Sequence, residues 1–261
     1  MSSLLRAVAS AFRVTLRLRV VSVWAYLNWL VFPLIFAAVG LFVLTRPGAP
    51  SSHLAYGVLG GGLIGYWSVA YLDGGQGIQD ERWNGTLEQI FAVPTPLWAI
   101  ILGKILSSLM FGLLAFLPTA AFAYIGFHAF LPSVDAVRFA ISLGLLTLTF
   151  LGIAIMLTPL FALWRWAFSM LNGFELGVYV LCGFMFPVAI LSPWAQGIAG
   201  VLGPTWAVKA LYASTTSVGP HDYVVWWLAA LGLSAVYLVA AFFMYLLVQN
   251  RARVSGELAM A

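Results

Sequence analysis

The sequence predicts an all-α membrane protein: six transmembrane helices with an N-terminal interfacial helix, a short cytoplasmic helix in the first internal loop and an external re-entrant helical hairpin. Three observations carry this expectation. Of 261 residues, 63% are hydrophobic and only 8% are charged, whereas a soluble domain is charged at roughly a quarter of its positions. The mean hydropathy is +1.01. Several apolar runs reach about 20 residues, enough to cross a bilayer core as a helix. Backbone polar groups in lipid need partners within their own segment, so such runs are helical. The shorter alternating segments of a membrane β-barrel are not seen.

Residues 1–20 read as the interfacial helix. Leu5, Val8, Phe12 and Leu16 share one side of a helical wheel, and Arg6, Arg13 and Arg17 lie on another. That is the pattern of a helix lying on an anionic membrane surface. The simpler alternative is a basic flank that holds the N-terminus inside. The first apolar run is too long for the core of a cleavable signal peptide and reads as a retained span.

The six spans are expected at about 22–44, 54–72, 97–125, 137–162, 166–190 and 223–249, with a tail at 250–261. Thr95 is the expected N-cap of the third, with Pro96 in its first turn. Placing both termini in the cytoplasm puts Arg6, Arg13, Arg17, Arg19, Arg82, Lys104, Arg165, Arg251 and Arg253 inside. Only Arg46, Arg138 and Lys209 then fall outside, as the positive-inside rule requires. The net charge of +4 is therefore a topology signal, not a nucleic-acid groove. His53, His128 and His221 fall in separate external loops and read as solvated loop residues before they read as a metal site.

The second span carries Gly57, Gly60, Gly61, Gly62 and Gly65. Small residues let transmembrane helices approach closely, and packing is the expected role. A phosphate loop would need GxxxxGK[ST] after a strand, and this stretch has neither the lysine nor the strand. The single cysteine, Cys182, rules out an internal disulfide and a cysteine-based metal site. It reads as a small packing residue in an apolar run. Residues 191–222 are the least regular part. The apolar stretch 194–203 is too short to span and is broken by Pro193, Gly203 and Pro204, which points to a hairpin dipping in from the outer face rather than a plain loop.

Residues 78–94 form a charged island between apolar runs. Leu87, Ile90 and Phe91 follow the spacing of one helical face. Asn84 or Thr86 can cap the start, Glu88 suits the helix dipole, and Pro94 and Pro96 end the helix. About two turns are marginal alone. Such a helix needs a partner surface, and a groove on another protein supplies one.

Here the chain resembles a known family. Gly85-Thr86-Leu87-Glu88, then Pro94, then Gly103-Lys104 opening the next span are similar to the first cytoplasmic loop of type-2 ABC exporter permeases. Gly183-Phe184-Met185-Phe186-Pro187, Leu191-Ser192-Pro193-Trp194 and Pro204-Thr205-Trp206-Ala207 resemble the stretch after the fifth span of that family. The drug- and lipid-exporting branch is most similar, with the polysaccharide-exporting branch as the alternative. The resemblance implies a permease subunit in the inner or plasma membrane of a prokaryote. It would pair with a second, identical or paralogous copy, and two ATPase subunits would bind ATP and magnesium below. It assigns Glu81, Arg82, Gly85, Thr86, Leu87, Glu88, Ile90 and Phe91 to the coupling segment. It assigns Phe186, Pro187, Trp194, Pro204 and Trp206 to the external re-entrant gate.

The chain itself is expected to be no enzyme. Trp98 stands where the first glycine of a Walker A motif ending in Gly103-Lys104 would be, and Ile105 replaces the magnesium-binding Ser/Thr. Leu72-Asp73-Gly74-Gly75-Gln76 echoes an ABC signature, but without a Walker A motif or room for an ATPase domain it reads as coincidence. Cofactors are thus expected in the partner and not in this chain.

Glu175 is the one acid expected deep within a span. Such residues face protein or a wet cavity. It serves either as a polar site in the pathway or dimer seam, or as a hydrogen-bonding group between helices with Asn172 nearby. A secondary transporter would show more intramembrane ionisable groups and a repeat. An intramembrane enzyme would show clustered nucleophile, acid and base. Neither pattern is evident. The 15% aromatic content, including 11 tryptophans, suits interface belts and flat or lipid-like cargo equally.

Overall fold

The computed structural model describes residues 3–44, 51–83, 85, 96–128, 134–163, 171–215 and 222–255. These residues are helical, with no strand among them. In chain order the elements are α1 (Ser3–Val21), α2 (Val23–Tyr26), a π-helical turn (Leu27–Val31), α3 (Phe32–Leu44) and α4 (Ser51–Trp83). They continue as α5 (Leu97–Leu113), α6 (Phe116–Phe127), α7 (Ala136–Leu163), α8 (Leu171–Leu181), a 3-10 turn (Val188–Ile190), α9 (Pro193–Val201), α10 (Gly203–Ala213) and α11 (Tyr223–Ser255). Among the described residues, three stretches are long and apolar enough to cross a membrane: Leu97–Phe127, Ala136–Leu160 and Tyr223–Leu247. A shorter apolar helix covers Trp29–Val43.

The middle of the bundle is α4, which packs against α3, α5, α6 and α7. Its glycines let the neighbours in. A Cβ on Gly61 would stand 2.5 Å from the Pro33 carbonyl oxygen, and one on Gly65 would stand 2.2 Å from Pro33 Cγ. On another side, a Cβ on Gly62 would meet the Phe116 ring at 2.5 Å. The glycines therefore serve packing, as small residues in transmembrane helices do. Beside them the helix carries Leu63, Ile64, Tyr66 and Trp67, all fully buried in the main core with Phe150, Leu146 and Phe184.

Several helix bounds differ from the sequence expectation, each for a local reason. The helix of the second apolar run continues past residue 72 to Trp83, so the first part of the expected 78–94 loop is helical. The first run is divided by the π turn, where the Phe32 N–H bonds back to the Leu27 carbonyl. It precedes Pro33, which has no N–H to continue the ladder. The third run divides at Leu114–Ala115. Pro118 cannot donate, and its ring crowds the carbonyl four residues back, at Leu114. The ladder tightens there, with Leu117 N–H bonding to Leu114 O at 3.1 Å and Ala115 N–H to Gly112 O at 3.0 Å. Pro96 is the N-cap of α5, in extended conformation, rather than a first-turn residue; Thr95 lies outside the described residues.

The fifth run ends much earlier than residue 190. Helix α8 closes at Leu181, and Gly183 takes the left-handed conformation at φ 71. The Phe184 N–H bonds to Tyr179 O and the Gly183 N–H to Val180 O. That is the paired termination in which glycine follows the last helical residue.

Helix α1 lies along α5. Val8, Phe12 and Leu16 are half-buried, while Leu5, Arg6, Arg13 and Arg17 are exposed. Gly103 makes the contact possible, because a Cβ there would stand 2.5 Å from the Val8 carbonyl oxygen.

Candidate functional site

Two groups of side chains stand out. The first joins α4 to α8. Ser68 Oγ donates to Glu175 Oε1 at 2.6 Å, and the Tyr179 hydroxyl donates to the same oxygen. Ser68 and Tyr179 are buried and Glu175 is half-buried. Glu175 and Tyr179 are four residues apart on one helix, so they share a face. The Tyr71–Phe174 ring stack, with centroids 5.7 Å apart, lies beside the cluster. A carboxylate is an acceptor only, so two hydroxyl donors suit it. The arrangement can act as a polar latch between two helices. The Asn172 side chain lies outside the described residues.

The second group is the broken-helix segment after α8. The stretch expected as a hairpin is two helices, α9 and α10, joined at Leu202 in extended conformation. Prolines at the starts of both suit the first turn, where a missing N–H costs nothing. The backbone groups freed at the joint are answered by Tyr237 on α11. Its hydroxyl accepts from the Gly203 N–H at 2.9 Å and donates to Val201 O at 3.2 Å. Helix α10 packs against α7 and α11, with Ala207, Val208 and Leu211 in the main core. Tyr212 ties the segment to α4: its ring stacks on Tyr56 at 4.0 Å and its hydroxyl donates to Phe184 O.

The expected gate residues separate by exposure. Trp194 is 72% exposed on α9. Pro204 is buried, and Phe186, Pro187 and Trp206 are half-buried. Trp206 Nε1 donates to Gly200 O at 2.9 Å, bracing α10 on α9. A cavity of about 330 Å³ opens between these helices and Tyr56. Cys182 is fully buried at its wall.

The expected coupling residues are less completely described. Glu81 and Arg82 lie on the last turn of α4, and their side chains are outside the described ones. Gly85 is exposed in a turn with φ 66. Thr86, Leu87, Glu88, Ile90 and Phe91 lie outside the described residues.

Sequence reasoning named Glu175 but missed its partners. Tyr179 was discoverable, since i and i+4 on a helix are neighbours. Ser68 was not, because only tertiary packing brings α4 beside α8.

Among the described residues the fold is all-helical, with three helical stretches long and apolar enough to cross a membrane. No protein-family model and no curated protein matches the chain.

Proposed function

We propose that this chain is the membrane-spanning permease subunit of an ATP-driven ABC exporter that moves a hydrophobic or amphipathic cargo, drug or lipid, as a dimer. In this reading the chain crosses the membrane six times with both termini in the cytoplasm, and α1 lies at the interface. A separate ATPase subunit, in two copies or two paralogues, binds ATP and magnesium. The segment Gly85–Phe91 is the coupling helix seated on it. The polysaccharide-exporting branch is the alternative cargo class.

The observation that supports this reading most is the course of α4. One uninterrupted helix runs from Ser51 to Trp83, a length of roughly 50 Å at 1.5 Å per residue. Near its start it touches the broken-helix segment through the Tyr56–Tyr212 stack. A Cβ on Gly60 would stand 2.8 Å from Phe184 O, just before that segment. At its other end it carries Asp80, Glu81 and Arg82 into the Gly85 turn. A helix with this course can pass a displacement at the charged segment to the opposite side of the bundle. The Ser68–Glu175 latch lies between the two ends.

The test is reconstitution of the full chain with its ATPase partner in proteoliposomes, following export of an amphipathic fluorescent lipid. Transport is expected to require ATP and to vanish when the partner's Walker A lysine is replaced. Transport driven by a proton gradient without that partner overturns the reading and makes the protein an ion-driven transporter.

A further inference from the structure

The cavity beside α10 has a composition that points to a ligand class. Its volume of about 330 Å³ lies at the lower end of small-molecule sites, which span roughly 300–1,000 Å³. Most of its wall is apolar, with Tyr56, Val188 and Tyr212 prominent. Three polar groups converge on it. Lys209 Nζ is held over two rings, 4.7 Å from the Trp226 centroid and 5.6 Å from that of Trp206. Such cation–π contacts position an ammonium group without neutralising it. Lys209 is exposed and forms no salt bridge among the described residues, where Asp135 pairs instead with Arg138 at 3.3 Å.

The second group is the Thr205 hydroxyl. Thr205 is 6% exposed, and its hydroxyl lies against the Cys182 thiol in the cavity wall. The third is Gln196. Its amide nitrogen donates to Leu191 O at 2.7 Å and Ala189 O at 3.3 Å, so both N–H bonds are used and its carbonyl oxygen remains as an acceptor.

We propose that this cavity binds an anionic amphiphile. Its anionic head pairs with Lys209, a hydroxyl of the headgroup donates to Gln196, and its apolar part lies against Tyr56, Val188 and Tyr212. A wholly polar ion would leave that apolar wall unfilled, and a neutral hydrocarbon would leave Lys209 and the Gln196 carbonyl unanswered. The proposal depends on the membrane character of the chain and not on coupling to an ATPase, so either can fail alone.

The test measures binding of radiolabelled lysophosphatidylglycerol and lysophosphatidylcholine to the full-length protein in zwitterionic nanodiscs. The anionic probe is expected to bind about tenfold more tightly, the gain of one charge-assisted contact. Lys209→Gln should abolish that preference without changing thermal stability, and Lys209→Arg should retain it. Val188→Trp, which fills the cavity, should weaken both probes; if that variant does not fold, the Lys209 pair decides alone. Equal binding of the two probes, or a preference that survives Lys209→Gln, overturns the proposal. Displacement of the anionic probe by an equal concentration of inorganic phosphate also overturns it, because the site would then bind a free anion.

Discussion

Glu175 Oε1 and Ser68 Oγ stand 2.6 Å apart although 107 positions separate them in the chain. The bond joins the short helix α8 to the helix at the centre of the bundle, and Tyr179 completes it from the next turn of α8. An acid in a membrane-spanning protein is costly unless it faces protein or water. Here it faces protein donors.

Replacing that acid separates its two roles. Glu175→Leu removes the shared acceptor and leaves Ser68 and Tyr179 only each other, 2.5 Å apart; it should cost about 1–3 kcal/mol, seen as a lower Tm in detergent. Glu175→Gln keeps an acceptor oxygen and should retain most of the stability and the transport. Transport lost in a stable Glu175→Gln variant would instead assign the charge itself to the pathway. The combination of Ser68→Ala with Glu175→Gln should be non-additive by about 0.5–3 kcal/mol, as for residues in direct contact.

The glycines of the bundle should differ sharply in tolerance. Gly65→Ala places a Cβ 2.2 Å from Pro33 Cγ and should destabilise by about 1–3 kcal/mol through overpacking. Gly144 lies inside α7 with open space around it. Gly144→Ala should be neutral or stabilise by about 0.5–1 kcal/mol. Thermal unfolding in detergent measures both, and equal effects would show that the contact with Pro33 does not constrain α4.

Helix α1 should detach when its seat is filled. Gly103→Val crowds the Val8 carbonyl and Ala11. It should free the α1 backbone to unwind into a protease, measured as faster tryptic cleavage at Arg13 and Arg17 while the rest of the chain stays protected. An unchanged cleavage rate would mean that α1 does not depend on this contact.

The outward face of α9 tests membrane re-entry. Ile198 is 48% exposed in the protein and Val201 67%, so nothing else among the described residues covers them and lipid would have to. In a Cys182→Ala background, Ile198→Cys should resist a charged, impermeant thiol reagent, whereas Asp222→Cys should label rapidly. Equal labelling places α9 in water.

The coupling segment is tested by charge. Glu88→Lys should weaken co-purification of the ATPase partner or uncouple hydrolysis from transport, because an interfacial charge meeting its own sign costs affinity. Intact assembly and transport in this variant would remove Glu88 from the coupling role.

Composition and periodicity alone determined that this chain is helical and apolar, and they placed the N-terminal amphipathic helix, the packing glycines and the break near Pro193 and Pro204. These are local properties: run length, wheel pattern and missing N–H groups act on neighbouring residues whatever the tertiary fold. Helix ends were less legible. Trp83 continues α4 and Gly183 stops α8, because hydropathy marks what a helix buries and not where its hydrogen-bond ladder ends. The partners of Glu175, the use of Gly103 as a seat for α1, and the placement of Lys209 between Trp206 and Trp226 were decided only by tertiary structure. Each joins residues from different helices, and the rotation and depth at which two apolar helices meet depend on close packing of side chains, which a hydropathy pattern does not record.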